Sequence, residues 1–302
     1  MNCGYKRGGA IVIVARTRAE LRKARDGLTD PTGIVPTMGA LHAGHTALLR
    51  AARDRERSVV ATLFVNRAQF EDPNDFAAYP RDESVDLDVF EACGVDIAFV
   101  PDEDELYPTG LSCHIDTGPV AYGQEGSRRP GHFEGVAMVV AKLFHLVAPT
   151  SAYFGQKDWQ QTRVISQMVS DLDLKVDLVK VSTVREANGL ALSSRNVLLE
   201  CNDLEAATSL YRGLCAAHDA WVQGERLPPR LASLVRSEVA IEKSAAVVYS
   251  EVRHALTLAP IEIVQEPFVI AIAAEIGNVC LIDNVVVGEG LIDVELGDRW
   301  QS

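Results

Sequence analysis

The sequence predicts an α/β protein: a Rossmann-like, doubly wound parallel sheet over residues 1–182 and a smaller C-terminal α+β domain over 183–302. Three observations carry this expectation. Ser58 to Val65 and Val95 to Val100 are nearly unbroken apolar, β-branched runs, the mark of strands buried on both faces of a parallel sheet. Such runs alternate with segments of helical period, clearest in Val136, Val139, Val140, Leu143, Phe144 and Val147, which recur as one apolar stripe. Polar clusters at 37–45, 66–69, 155–161 and 182–196 each follow the carboxyl end of a predicted strand, where open parallel sheets bind ligands.

Taken in order, Ile11 to Ala15 predicts the first strand, and Thr17 with Glu20 three residues on predicts a capping box that opens a helix reaching Leu28. Asp30-Pro31-Thr32-Gly33 is a turn before the short apolar run Ile34-Val35. A helix from about His45 to Arg55 then places Ala47, Leu48, Ala51 and Ala52 on one face. Glu71 to Arg81, with Pro73 and Pro80, predicts a loop, and Asp82 to Cys93 a helix. Asp102 to Glu105 is a solvated helix start, and the Gly-, Pro- and Arg-rich stretch Gly118 to Gly135 predicts a long loop. His145 lies beside the apolar stripe of the following helix and is read as structural. Ser151 to Phe154 and Val176 to Val181 are the last two strands of the sheet, separated by a helix carrying Val164, Ile165, Met168, Val169 and Leu172.

Beyond residue 182 the pattern changes. Helices are predicted over Asp203 to Val222 and Pro229 to Glu242, and strands over Val247 to Val252, Phe268 to Ala274 and Val279 to Val287. The Gly277-Asn278 pair joins the last two as a hairpin.

The totals narrow the function. The chain has 302 residues, is 47% hydrophobic and carries a formal charge of −13, which argues against general nucleic-acid binding. No run has the ~18 apolar residues of a membrane span. Ile11 to Val14, after Lys6 and Arg7, is too short for a signal-peptide core, so the expected location is cytoplasmic. Six cysteines without a C-x-x-C pair or metal-like clustering predict reduced thiols.

Chemistry concentrates in the segment Pro36-Thr37-Met38-Gly39-Ala40-Leu41-His42-Ala43-Gly44-His45. Two imidazoles three apart stand on a strand-to-helix turn, with glycines where a backbone can approach a ligand and helix N–H groups that favour an anion. A bare H-x-G-H also fits a tight turn with satisfied histidines. Gly155-Gln156-Lys157-Asp158 supplies an ammonium at a helix start, while Asp158 with Gln161 fits a capping box. Ser193-Ser194-Arg195-Asn196 combines hydroxyls, a guanidinium and an amide suited to a loop over a polyphosphate. Arg128, Arg129 and His132 add positive charge from the long loop. There is no P-loop, no G-x-G-x-x-G after a strand and no Ser/His/Asp triad. A basic pocket without a nucleophile points to nucleotidyl transfer, which needs positioning and charge stabilisation more than covalent help.

These segments resemble one family closely. The residues Pro36 to His45, Phe64-Val65-Asn66 with Gln69-Phe70, Tyr79-Pro80-Arg81, Arg129-Pro130-Gly131-His132-Phe133 with Gly135, and Phe154 to Asp158 with Gln160-Gln161 look like those of pantothenate synthetases. So do Arg185-Glu186, Gly189 to Asn196 and Leu281-Ile282-Asp283-Asn284. The resemblance implies ATP-dependent condensation of pantoate with β-alanine through a pantoyl-adenylate, with Mg²⁺ on the phosphates. It also implies a homodimer and a C-terminal lid. It gives Met38, Gly39, Ala40, Leu41, His42, Ala43, Gly44 and His45 contacts to ATP, together with Gly155, Gln156, Lys157, Asp158, Val184, Leu192, Ser193, Ser194 and Arg195. His45 is then the catalytic histidine, and His42, Lys157 and Arg195 join it in concentrating positive charge on the reacting phosphorus. Gln69 would hold pantoate and β-alanine and Gln161 pantoate, with Asn66 and His132 lining the pocket and Asp86 near the metal through water. Three positions depart from the family's commonest pattern: Arg67, Gln156 and Asn188. Arg67 beside Gln69 raises one alternative, a paralogue that joins a different acid and amine. A nucleotide-binding dimer without catalysis is the reading from another class, motivated by Asn188.

Overall fold

In the computed structural model, which describes residues 12–290, strand β1 (Ile13–Ala15) leads into helix α1 (Arg18–Arg25), opened by the predicted Thr17–Glu20 capping box. Strand β2 (Thr32–Val35) is buried at every residue and feeds helix α2 (Ala43–Arg55). Strand β3 (Ser58–Thr62) follows, then helices α3 (Pro73–Ala78) and α4 (Glu83–Ala92), strand β4 (Ile97–Phe99) and the short helix α5 (Glu103–Leu106). Helix α6 (Gln124–Arg128), the long helix α7 (His132–Val147), strand β5 (Ser151–Gly155), helix α8 (Trp159–Asp171) and strand β6 (Asp177–Val181) complete this part of the chain.

The six strands form one sheet in the order β1-β4-β3-β2-β5-β6, and the β1–β4, β4–β3, β3–β2 and β2–β5 pairs run parallel. The winding leaves β2 in one direction through β3 and β4 and in the other through β5 and β6. The switch point of the doubly wound sheet is therefore the carboxyl edge between β2 and β5. The core under the sheet is built from the predicted stripe of α7, with Val136, Val140, Leu143 and Val147 packed among Ile34, Phe99 and Ile165. Burying such side chains contributes about 1.5–3 kcal/mol each, against the conformational entropy of ordering the chain.

Two stretches predicted as loops contain short helices. The 71–81 segment holds α3, started by Asp72 accepting from the Asn74 N–H, and none of its residues is buried, so no apolar period announces it. The 118–135 stretch holds a 3-10 turn at Gly118–Ala121, helix α6 and the first turn of α7, which begins at His132 after Gly131 turns the chain at φ 80°. Strand β3 ends at Thr62, short of the predicted Val65, although the Leu63 and Phe64 N–H groups still donate to the Phe99 and Thr37 carbonyls in the register of the flanking strands.

The described residues divide into two compact units, 12–154 with 164–181, and 155–163 with 182–290. The second unit contains helices α9 (Cys201–Val222) and α10 (Pro228–Val239) and a three-stranded antiparallel sheet of β7 (Ala245–His254), β8 (Phe268–Ile276) and β9 (Val279–Val287), with β8 central. The predicted hairpin is present: Ile276 pairs with Val279 across Gly277-Asn278. Ile270, Ile272 and Ala274 of β8 pack with Leu210, Leu214 and Val235 of the two helices. The C-terminal tail from residue 291 and the start of the first predicted strand, Ile11, lie outside the described residues. Among the described residues no helix is long and apolar enough to cross a membrane.

Candidate active site

In the first unit the segment after β2 is anchored before it turns. Thr37 is buried, donates its N–H to Thr62 Oγ1 at 3.1 Å, and donates its hydroxyl to the Thr62 carbonyl. The chain then passes through two successive left-handed residues, Gly39 at φ 87° and Ala40 at φ 51°. Asp86 holds this bend. Its Oδ2 accepts from the Ala40 N–H at 3.0 Å and its Oδ1 from the Leu41 N–H at 2.8 Å. Glycine is required at 39 twice over, since a Cβ there would lie 2.8 Å from Asp86 Oδ2. Burial pushes the Asp86 carboxyl above its usual range, against the pull of the two N–H bonds.

The start of α2 is closed by the two histidines themselves. The Gly44 N–H donates to His42 Nδ1 at 3.1 Å and the His42 N–H to His45 Nδ1 at 3.2 Å, a capping box built from imidazoles. The ring centroids are 4.2 Å apart. A ring nitrogen that accepts from a backbone N–H carries no proton, so each neutral ring keeps its proton on Nε2. Both side chains are thereby hydrogen-bond donors at Nε2, beside the positive end of a helix dipole.

A second cluster in this unit gathers Asn66, Gln69 and His132, whereas Gln161, also predicted to hold the acid, belongs to the second unit. Asn66 and Gln69 are buried, and Asn66 Nδ2 donates to Gln69 Oε1 at 3.3 Å and to the Gly135 carbonyl at 3.0 Å. Gln69 Nε2 reaches Met38 Sδ at 3.1 Å, joining this cluster to the loop after β2. His132 stands against Gln69. Its Nδ1 donates to the Gln69 carbonyl at 2.8 Å, which leaves Nε2 to accept from Arg129 Nη1 at 3.2 Å. It thus braces the 3-10 turn Arg67–Gln69 from behind. Arg128 is paired with Glu125 at 3.2 Å, which offsets its charge. His145 bonds the Ala141 carbonyl of its own helix, the structural role predicted for it. Arg67 is exposed, with its guanidinium 5.4 Å from the Phe76 ring centroid.

In the second unit, Gln156–Asp158 forms a 3-10 turn that runs without a break into α8. Asp158 therefore stands inside a helical run and is not the cap of α8, because an N-cap needs a non-helical backbone that this position lacks. The turn is held by Asn284 of β9, whose Nδ2 donates to the carbonyls of Gln156 at 3.1 Å and Lys157 at 2.9 Å. Gln156 Nε2 returns a bond to Asn284 Oδ1 at 3.3 Å. The neighbouring Asp283 accepts both arms of Arg185, one at 2.9 Å, and Arg185 also donates to the Gly189 carbonyl at 3.1 Å while its guanidinium lies 4.5 Å from the Tyr211 ring centroid. Leu192 N–H to Val184 O, at 3.0 Å, and the Arg185–Ala191 bridge close the 184–192 segment as a narrow loop. Asn188 Oδ1 accepts from the Leu190 N–H at 3.1 Å, a turn that aspartate would make equally well. Ser193 Oγ accepts from the Arg195 N–H at 3.3 Å, and Asn196 Nδ2 donates to the Ala191 carbonyl at 3.1 Å. Lys157, Gln161, Ser194 and Arg195 are half-buried, and Asp158 is exposed.

Residues 11–286 match the model of the pantoate-beta-alanine ligase family. The chain belongs to that family. It is 47% identical over 279 residues to a pantothenate synthetase of Chloroflexus aurantiacus, covering 92% of this chain and 99% of that protein. Among solved structures it resembles a pantoate-β-alanine ligase from Thermus thermophilus, at 40% identity and a TM-score of 0.86, over 90% of this chain and 98% of that one. A pantoate-β-alanine ligase from Francisella tularensis, complexed with beta-gamma ATP and beta-alanine, matches at 32% identity and a TM-score of 0.75, covering 92% and 99%.

Within a ligase of this family, the sequence motifs mark the residues that would face ligands better than those that hold them. Asn284 and Asp283 are signalled by two polar side chains in succession in an otherwise apolar strand, yet nothing in sequence tells which loop they support. Tyr107, Gly135 and Tyr211 carry no periodic signal at all. Among the described residues no group of three or more His, Cys, Asp or Glu side chains could hold a metal ion, and both Asp86 oxygens are engaged by backbone N–H groups.

Proposed function

We propose that this chain joins pantoate to β-alanine at the expense of ATP, as the family does, through a pantoyl-adenylate. The observation that carries this reading is the family match over residues 11–286, within which the Pro36 to His45, Gly155 to Asp158 and Gly189 to Asn196 motifs all stand. In the first step the pantoate carboxylate attacks the α-phosphorus and pyrophosphate leaves. In the second the amine of β-alanine attacks the activated acyl carbon and AMP leaves. Neither step needs a covalent enzyme intermediate, so the protein's work is orientation and charge stabilisation.

The residue roles follow from the chemistry of each group. His42 and His45 offer Nε2–H donors to phosphate oxygens at a helix start, Lys157 a point charge and Arg195 a forked donor for the leaving pyrophosphate. The backbone of Met38 to Gly44, together with Gly155, Gln156, Val184, Leu192, Ser193 and Ser194, would cradle the nucleotide. Gln69 and Gln161 would hold pantoate, with Asn66 and His132 acting behind Gln69. Among the described residues no group of side chains forms a protein cage for Mg²⁺; an ion carried on the ATP phosphates and keeping its own waters requires none. A homodimer and a cytoplasmic location belong to the same reading.

The paralogue alternative loses its motive, because the Arg67 guanidinium lies over Phe76 while Gln69 is buried. Pantoate-dependent exchange of pyrophosphate into ATP, without and then with β-alanine, tests the proposal. Exchange with pantoate alone, and AMP plus pantothenate once β-alanine is added, is the expected result. Folded protein that shows neither would overturn it.

A further inference from the structure

The polar chain behind Gln69 has a direction, and a backbone atom sets it. The Gly135 carbonyl only accepts, so the Asn66 atom 3.0 Å from it is Nδ2. Oδ1 of the same amide then faces Tyr107, whose hydroxyl donates to it at 3.1 Å. Because Asn66 Nδ2 also reaches Gln69 Oε1, the Gln69 amide is turned with Nε2 toward Met38 Sδ. Flipping either amide would set donor against donor or oxygen against oxygen in a buried site, a cost of about 1–3 kcal/mol per unsatisfied group. The anchoring carbonyl can come this close because residue 135 lacks a side chain: a Cβ there would lie 2.4 Å from the Ala68 carbonyl oxygen. Burial pushes the Tyr107 phenol up, so the hydroxyl keeps its proton and stays a donor.

We propose that Tyr107 is a positioning residue for the acid substrate: its hydroxyl holds Asn66, and through Asn66 it holds Gln69 as a hydrogen-bond donor to a carboxylate or hydroxyl oxygen of that acid. The proposal rests on the ligase reading and on Gln69 belonging to the acid pocket. Met38 Sδ, a weak acceptor, occupies the place that a substrate oxygen takes with a stronger bond. Gly135 fixes the sign of the relay. Tyr107 fixes its position by satisfying the other end of the Asn66 amide, so that the side chain is held at both atoms.

Tyr107→Phe tests this cleanly, since it retains the packing of the ring against Phe64, 6.2 Å between centroids, and beneath Lys142. The readout is pantoate-dependent pyrophosphate exchange by the full chain, for wild type, Tyr107→Phe, Gln69→Ala and the double variant. The expected result is a pantoate KM raised about tenfold in Tyr107→Phe, with kcat and the ATP KM within about twofold; tenfold corresponds to ~1.4 kcal/mol. In the Gln69→Ala background the same change should have an effect below about twofold, because the hydroxyl would have nothing left to orient. A wild-type pantoate KM in Tyr107→Phe overturns the proposal, as does a tenfold effect that persists without Gln69. A parallel loss of kcat, both KM values and Tm would overturn it too, by assigning Tyr107 a merely structural role. Wild-type protein without pantoate-dependent exchange would overturn the ligase reading, and the proposal with it.

Discussion

The side-chain amide of Asn284 donates to the carbonyl of Lys157 at 2.9 Å, and with its bond to Gln156 it fixes the turn from which the Lys157 ammonium projects. Replacing Asn284 by Ala leaves two carbonyls without their donor and lets that turn relax. The expected loss is about tenfold to a hundredfold in the rate of pyrophosphate exchange, with a cost of about 1–3 kcal/mol in stability. Asn284→Asp should be worse than Asn284→Ala, because a carboxylate would face two carbonyl oxygens. Exchange kinetics and urea midpoints on the three proteins check the order.

Asp86 gives a pH dependence of defined sign. Its carboxyl is pushed above the ordinary range by burial, so the folded protein binds this proton more readily than the unfolded chain. The favourable contribution of Asp86 is therefore present below the unfolded pKa and lost as pH rises through the folded one. Asp86→Asn removes this term. The stability of wild type relative to Asp86→Asn should fall as pH rises through the weakly acidic range and level off above it, as read from urea midpoints across that range. Activity should move the other way, since an amide can accept from only one of the Ala40 and Leu41 N–H groups. A drop of about tenfold or more in exchange at neutral pH is expected.

His45→Ala should slow adenylation by about 10²–10³-fold, the range for losing one donor that meets charge developed in the transition state. Single-turnover formation of pyrophosphate isolates that step from the transfer to β-alanine.

Gly189→Ala probes the second unit. A Cβ would fall 1.9 Å from the Tyr211 ring, and the backbone there stands at φ 91°, so the side chain is excluded by space and by conformation. Tyr211 would have to leave the Arg185 guanidinium, and about 1–3 kcal/mol or more of stability should go with it. Thermal unfolding of Gly189→Ala beside Tyr211→Ala tests whether relieving the ring restores part of the loss.

The sheet and its long helices are legible in the sequence because burial imposes a period. Val136 to Val147 announce α7, and Phe268 to Val287 announce the final hairpin. Helices α3 and α6 are not legible, since six and five residues with almost no buried side chain leave no stripe to read. The same holds within the site. His42, His45, Lys157 and Arg195 stand out because they are the residue types that the proposed nucleotidyl transfer would need near those glycines. Tyr107 does not, because what matters about it is a single hydroxyl brought to Asn66 from forty-one positions away along the chain. His132 shows the converse: it is conspicuous in sequence, yet both ring nitrogens are spent on Gln69 and Arg129.

The imidazole cap of α2 limits what its histidines can do. In each ring the lone pair that could take a proton is Nδ1, and that atom already accepts from the backbone. Neither ring can take a proton at Nδ1 without giving up its bond to the backbone at the start of α2. The pair is built as a fixed template of donors and not as a station in proton traffic. Solvent deuterium should then leave the adenylation step almost untouched, and whatever proton the amine of β-alanine must shed has to depart by another route.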